Sequence, residues 1–341
     1  MNRARSKAGG YAIAMLVACS APALAAEEEI SFDPQRNTQT QQLVDELAQQ
    51  GVPSEWLEQA LMQANYRQEV LDAMAGAAER RLRWFEYRDI FLTEQRIEEG
   101  AAFMQEHADT LARAQSVYGV PPEVITAIIG VETYYGRHKG RHKVLDSLAT
   151  LAFHHPARGE FFRGELAAFL TIAYQQEVAP SSLYGSYAGA MGYPQFIPTS
   201  YQAYAVDFDD DDKRDLWNNP VDAIGSVANY FAEHGWQRDG AIYHQAEGPD
   251  ARPDGLTFNQ TVRPTTTAAE AVEQGIVTAD SLAPDTPVVP LVLEYADGQE
   301  SYRLGEYNFY VITRYNHSHL YAMAVAELAE AIKQQAEAEH D

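Results

Sequence analysis

Apolar residues at helical spacing run through most of this chain, and glycine or proline separates one run from the next. The first run contains Leu43, Val44 and Leu47 and ends before Pro53. This spacing places the apolar side chains on one face of a helix, which can then pack against a core. We therefore predict helices from about Thr40 to Ala114, and again in a second series that extends to about Gly235.

The pattern changes between residues 257 and 304. The segments TFNQTVRPTTT, VVPLVLEY and ESYRLG are rich in Thr, Val and Tyr and carry Pro or Gly breaks, which is typical of short strands. A short helical pattern, AAEAVEQG, interrupts them, and residues 321–338 return to helix. The sequence predicts a mainly α protein with a small inserted β-rich element.

The N-terminus reads as an export signal. A basic MNRARSK precedes the apolar YAIAMLVAC and the small residues SAPALAA. Ala23-Leu24-Ala25 fits a signal-peptidase site and predicts a signal peptide over residues 1–25, whereas Leu16-Val17-Ala18-Cys19 resembles a lipobox that would lipidate Cys19. Both alternatives remain open, and an outer-membrane attachment follows only from the second. No later stretch reaches the roughly 18 apolar residues of a membrane span.

Charge and cysteine content exclude two classes of protein. The 341 residues carry a formal net charge of −24, which repels nucleic acid and anionic lipid. Cys19 is the only cysteine, so we expect no disulfide in the exported protein. The chain must therefore be stabilised by its apolar core, which its length is sufficient to form.

One carboxylate falls among aliphatic residues in AIIGVETYYGRHKG. If Pro122 begins a helix, Glu132 lies on the same stripe as Ile128 and Ile129, near a C-terminal stop at Gly136. Desolvation there would raise the pKa of Glu132 and make it a general acid. The alternative is a Glu that turns to solvent or pairs with Arg137.

Two further segments carry polar and aromatic residues suited to a sugar. In GSYAGAMGYPQFIPTSY, glycines allow close backbone approach, and Ser186, Tyr193 and Gln195 offer hydrogen bonds. In TRYNHSHLYAMAVAEL, Tyr315 and Tyr321 lie beside Asn316 and Ser318, either of which could cap the last helix. Each segment could equally be an ordinary loop or helix cap.

The acidic segment DFDDDDKRDLWNNPVD resembles an EF-hand loop. Asp207, Asp209 and Asp211 occupy positions 1, 3 and 5, and Lys213 offers its carbonyl at position 7. Asp212 stands where Gly is usual, and Asp222 would have to close the site. The pattern indicates Ca²⁺ or, alternatively, a solvated acidic turn.

Together these segments resemble the lytic murein transglycosylase B family over about Ala60 to Ala326. The stretches that carry the resemblance are VYGVPPEVITAIIGVETYYG, LDSLATLAF, GSYAGAMGYPQFIPTSY, DLWNNPVDAIGSVANYF and RYNHSHLYAMAV. The resemblance implies a lysozyme-like α core with a surrounding helical domain and a small β-rich domain. On this basis we divide the chain into a helical domain (27–115), a catalytic core with the EF-hand-like loop (116–240), a β-rich domain (241–305) and a C-terminal segment that returns to the core (306–341).

The resemblance also implies the roles of individual residues. It makes Glu132 the single catalytic acid and Asp207, Asp209, Asp211, the Lys213 carbonyl and Asp222 the ligands of a structural Ca²⁺. The substrate-binding positions it implies are Ser186, Gln195, Tyr230, Tyr315, Asn316 and Tyr321. Tyr135 stands where relatives often have Trp, and we expect it to keep an aromatic platform for saccharide.

The implied activity is non-hydrolytic cleavage of the peptidoglycan glycan strand, giving 1,6-anhydromuramic ends. A hydrolytic muramidase and a non-catalytic peptidoglycan-binding scaffold are the alternatives. We expect a periplasmic monomer whose partner is the glycan strand, with other cell-wall enzymes as further candidates and no nucleic acid. A second carboxylate for hydrolysis is not evident, because Glu160 and Glu165 read as helix surface.

Overall fold

The computed structural model describes residues 30–77 and 82–338. The predicted signal peptide, with Cys19 and both processing sites, lies outside these residues. From Ser31 onward the described residues form one compact unit, and they are mainly helical, as the sequence predicts. Every helix in the described part of the chain is too short or too polar to span a bilayer.

Helices come in two series along the chain, with a sheet between the second series and the last two helices. The helices are α1 (Thr38–Gln49), α2 (Ser54–Met62), α3 (Gln68–Ala77), α4 (Trp84–Phe91), α5 (Glu94–Glu106), α6 (Ala108–Tyr118), α7 (Pro122–Thr133), α8 (Val144–His154), α9 (Gly159–Gln175), α10 (Pro198–Tyr204), α11 (Pro220–Glu233), α12 (Ala268–Glu273), α13 (Tyr307–Tyr315) and α14 (His319–Ala338).

The first predicted helix illustrates why these segments are helical. Asn37 caps α1 by accepting the backbone N–H groups of Gln39 and Thr40 at 3.0 and 3.3 Å. The apolar stripe is fully buried, and the helix ends before Gly51, whose φ of +97° suits glycine. These boundaries confirm the helix and the break predicted from the spacing.

Helix α7 lies at the centre of the molecule. Gly119 ends α6 with a φ of +79°, and Pro122 is the first residue of α7, where its missing N–H costs nothing. Residues 124–131 are buried on all sides of the helix. Helices α5, α6, α11 and α14 contact α7, so elements from across the chain surround it. The domain divisions at 115, 240 and 305 stay predictions.

A five-stranded antiparallel sheet forms the predicted β-rich element. Its strands are β3 (Tyr243–Glu247), β4 (Thr266–Thr267), β5 (Val277–Thr278), β6 (Pro287–Glu294) and β7 (Glu300–Gly305), in the order β4-β6-β7-β3-β5. A separate two-stranded pair joins β1 (His142–Lys143) to β2 (Tyr184–Gly185). Strand β3 precedes residue 257, where the strand pattern begins in the sequence, but it lies within the 241–305 range given for the β-rich domain.

The two faces of β6 belong to different cores. Val289, Leu291 and Leu293 join the main core with the helices. Val288 and Val292 face the other way and pack a small second core with α12. Alternation along a strand produces this division, and the sheet packs against α4 and α13.

Candidate active site

Glu132 is the penultimate residue of α7, at a sharp reversal of the chain. Tyr134, Tyr135 and Gly136 all adopt left-handed backbone conformations, with φ values of 53°, 58° and 86°. Such conformations are unfavourable for tyrosine, so surrounding contacts must stabilise them. The helix therefore stops at Thr133, before the glycine that the sequence indicates as its end.

Tyr135 stabilises this reversal from inside. Its hydroxyl donates to the Arg96 carbonyl at 2.7 Å, and its ring lies so close to Gly130 that an added Cβ there would approach it to 2.7 Å. Arg96 in turn donates to the Gly130 carbonyl at 2.6 Å. The ring packs between α5 and α7 and is only partly exposed, and a saccharide platform at Tyr135 stays a prediction.

The Glu132 carboxyl is half-buried and has one protein partner. The Tyr321 hydroxyl donates to its Oε1 at 2.6 Å. Burial raises the pKa of Glu132 from its ordinary value of 4.5 to about 7, although the Tyr321 hydrogen bond acts in the opposite direction. Arg137 pairs with Glu99 at 2.7 Å instead of with Glu132, which excludes the alternative of a Glu132–Arg137 ion pair.

No other carboxylate among the described residues acts on the pKa of Glu132. Glu165 was expected at a helix surface, but it is 2% exposed. Its oxygens accept the backbone N–H of Thr199 at 3.0 Å and the Thr199 hydroxyl at 2.7 Å, so it caps α10. No carboxylate in the described part of the chain therefore forms a coupled acid–acid pair with Glu132.

Tyrosines extend from Glu132 into the core. Tyr321 stacks on Tyr315 with ring centroids 6.4 Å apart, and Tyr315 contacts Tyr230 at 4.8 Å. The Tyr315 hydroxyl donates to the Pro194 carbonyl at 2.7 Å, and that of Tyr230 to the Arg314 carbonyl at 2.6 Å. These two hydroxyls are therefore occupied by backbone, and only the rings are available to line a cleft.

The other predicted binding residues lie on loops. Ser186 Oγ accepts the backbone N–H groups of Ala188 and Ala190 at 3.2 and 3.0 Å, which leaves its own proton available. Gln195 has a φ of +50° and donates Nε2 to the Gly192 carbonyl at 2.9 Å, so its Oε1 stays available. Asn316 is exposed just after α13. The Tyr315 bond to Pro194 connects these two loops.

The sequence did not reveal two residues near Glu132. Tyr87 of α4 lies close enough that burial and the charge of Glu132 together raise its pKa to about 12. Thr133 donates to the Tyr193 carbonyl at 3.0 Å and fastens the end of α7 to the glycine-rich loop. Tyr87 lies outside every motif noted in the sequence and far from Glu132 along the chain, so only the fold brings the two together.

The acidic loop has the geometry of a cation site. Ligand oxygens of Asp207, Asp209 and Asp211 all lie within 4.8 Å of one another. Asp207 also accepts the backbone N–H groups of Asp211 and Asp212 at 3.1 and 2.8 Å, which folds the loop on itself. Asp212 has a φ of +68°, the conformation that glycine usually supplies there. The donor set fits Ca²⁺.

Asp222 lies outside this carboxylate cluster. It is fully buried, and its two oxygens accept the backbone N–H groups of Phe208 at 2.7 Å and Asp215 at 2.8 Å. Those bonds hold both ends of the loop onto α11. Asp222 therefore fixes the loop to α11 through the backbone. In the C-terminal segment, Ser318 rather than Asn316 caps α14.

Comparison with known proteins identifies the family. The transglycosylase SLT domain matches residues 35–330. The chain belongs to this family. It is 40% identical over 315 residues to membrane-bound lytic murein transglycosylase B of Escherichia coli, covering 89% of this chain and 85% of that protein. This agrees with the resemblance seen in the sequence.

Solved structures of the family share the whole fold. The soluble lytic transglycosylase SltB1 of Pseudomonas aeruginosa is 45% identical, with a TM-score of 0.81 over 86% of this chain and 97% of that one. The Escherichia coli lytic transglycosylase Slt35 in complex with calcium is 40% identical, with a TM-score of 0.82 over 90% of this chain and 96% of that one. The chain is therefore a lytic transglycosylase with a lysozyme-like fold.

Proposed function

We propose that this protein cleaves the bond between N-acetylmuramic acid and N-acetylglucosamine in peptidoglycan, with Glu132 as its only acid and base. The observation that carries the proposal is the half-buried Glu132 carboxyl at the end of α7. It accepts a hydrogen bond from Tyr321, and no other carboxylate among the described residues affects its pKa. Murein is the polymer named for the Escherichia coli relative.

The pKa of about 7 suits Glu132 to both halves of the reaction. Protonated Glu132 donates its proton to the glycosidic oxygen as the bond to the muramic C1 breaks. The resulting carboxylate then accepts the proton of the sugar's own 6-hydroxyl, whose oxygen closes on C1. The product is a 1,6-anhydro ring, no water is consumed, and Glu132 ends protonated as it began.

Neighbouring residues would position the sugar. We assign the Ser186 proton, the Gln195 Oε1 and the Asn316 amide to the acetamido groups, because no described protein group occupies them. The rings of Tyr230 and Tyr315 line the cleft, and Tyr321 orients Glu132. In a conventional glycosidase, a second carboxylate stabilises C1 or activates water. Here the substrate's N-acetyl oxygen would stabilise C1 instead.

Calcium would be structural. Asp207, Asp209, Asp211 and the Lys213 carbonyl would hold it, with Asp222 bracing the loop against α11. Bound Ca²⁺ would neutralise the clustered carboxylates, whose mutual repulsion otherwise opposes the folded loop. The calcium complex of Slt35 supports this assignment. For localisation we propose export to the periplasm, which is consistent with the Escherichia coli relative being named a membrane-bound enzyme that acts on murein.

Mass spectrometry of fragments released from purified peptidoglycan tests the proposal. We expect anhydro ends, lighter by one water than hydrolysis products, from the unmodified protein and none from Glu132→Gln. Glu123→Gln changes an acid at the other end of α7, paired with Lys333 at 3.4 Å, and should release normally. Reducing ends would indicate a muramidase. Binding without release by the unmodified protein would indicate a scaffold.

A further inference from the structure

A cavity lies between α4, α14 and the five-stranded sheet, apart from Glu132 and the residues proposed to bind the sugar. Its volume is about 400 Å³, within the range of small-molecule sites. Residues that line it include Arg88, Arg303, Tyr243, Glu327, Glu330 and Gln334. None of them takes part in the proposed reaction.

Arg303 is unusual within this cavity. It lies on β7 opposite Leu291 of β6 and Gln245 of β3, and only 6% of it is exposed. Its Nη1 bonds to the Ser301 hydroxyl and the Tyr302 carbonyl, but its buried Nε has no acceptor. A guanidinium in such a position ordinarily has a carboxylate partner, because burying an unpaired charge is costly.

The cavity's acids leave that guanidinium unpaired. Arg88 and Glu327 pair with each other at 2.9 Å. Glu330 accepts the Tyr243 hydroxyl at 3.0 Å, and no described cation lies within 4.0 Å of its carboxylate. Arg303 likewise has no ion pair with any described residue. The same cavity is therefore lined by the buried, unpaired cation of Arg303 and by the unpaired anion of Glu330, which is exposed.

We propose that this cavity binds a small zwitterion, an amino acid or dipeptide, with its carboxylate on Arg303 and its ammonium group on Glu330. A carboxylate complements the planar guanidinium through charge-assisted hydrogen bonds. A metal ion would be repelled by Arg303, and a polyanion by Glu327 and Glu330. A ligand with one charge of each sign complements the site.

Matched ligands test each end of the zwitterion by isothermal titration calorimetry on the unmodified protein. L-alanyl-L-alanine should bind, and its C-terminal amide should bind at least tenfold more weakly because it lacks the carboxylate. N-acetyl-L-alanyl-L-alanine should also bind more weakly, because it lacks the ammonium group. Equal binding of the three, or no binding of the dipeptide, would overturn the proposal.

Variants then locate the site. Arg303→Met should abolish dipeptide binding, whereas Arg252→Met, which alters an exposed arginine paired with Glu300, should leave it unchanged. Glu330→Gln should weaken the dipeptide but not its N-acetyl form. Unchanged affinity in Glu330→Gln would contradict the assignment. Glu330 is exposed, so its substitution should not disturb folding. The test therefore holds even if circular dichroism shows that Arg303→Met does not fold.

Discussion

Replacing Glu132 by Gln should stabilise the protein at alkaline pH while abolishing its activity. The folded protein raises the pKa of this carboxyl from 4.5 to about 7, chiefly through burial. The folded state thus binds the proton more tightly than the unfolded chain does. Stability associated with Glu132 is fully present below about pH 4.5 and is lost progressively as the pH rises through 7.

The size of the effect follows from the two pKa values. Each unit corresponds to about 1.4 kcal/mol, so the ionised carboxyl destabilises the folded protein by about 3 kcal/mol above pH 8. Glutamine has no charge to bury, and its Oε1 can still accept the Tyr321 hydroxyl. The Gln variant should therefore match the unmodified protein at pH 4 and exceed its free energy of unfolding by about 3 kcal/mol at pH 8.

Urea denaturation at several pH values, followed by circular dichroism, measures this difference. Glu123→Gln, which removes an acid at the other end of the same helix, is the control, and it should not reproduce the gain in stability at pH 8. A Glu132→Gln offset that is constant with pH, or that favours the unmodified protein at pH 8, would refute a raised pKa at Glu132. The acid–base role would then lose its physical basis.

Three further changes test the surroundings of the site. Tyr321→Phe removes a hydrogen bond that lowers the pKa of the catalytic carboxyl, so the alkaline limb of the pH–rate profile should move to higher pH; a shift to lower pH contradicts this. Gly130→Ala forces a Cβ against a tyrosine ring and should cost about 1–3 kcal/mol in thermal unfolding, whereas Gly164→Ala, with open space around it, should stabilise its helix by about 0.5–1 kcal/mol. If the loop binds calcium, Asp209→Asn should reduce the rise in melting temperature that calcium gives over a chelator, and Asp210→Asn, outside the cluster, should not.

Local patterns predicted those parts of the fold that local physics determines. Pro122 and the aliphatic stripe indicate α7 because a helix start and its buried face are encoded within a few residues. The same stripe placed Glu132 on the core side. Calcium-loop spacing likewise depends on neighbours in sequence, and the three aspartates do converge.

Long-range contacts determined what the sequence did not show. Glu165 reads as helix surface, yet α10 packs over it and supplies Thr199 to its carboxylate. The sequence suggests Tyr135 as a ligand platform, yet its hydroxyl donates a hydrogen bond to the Arg96 carbonyl of α5. In each case the partner lies tens of residues away, and a periodicity reports only which face of a helix is apolar.

The catalytic proposal depends on a balance between two opposed effects on one carboxyl. Burial alone would raise the pKa of Glu132 further, which would keep the carboxyl protonated near neutral pH but make it a weaker proton donor. The Tyr321 hydroxyl opposes this by stabilising the charged form. A cation in contact with the carboxylate would lower its pKa too far for it to serve as an acid. Arg137, which follows Glu132 closely in sequence, is instead paired with Glu99 of α5. A single carboxyl can serve as acid and then base only while its pKa stays near neutrality. The fold meets this condition because Tyr321 of α14 supplies a neutral hydrogen-bond donor and Glu99 pairs with Arg137, the cation that follows Glu132 in sequence.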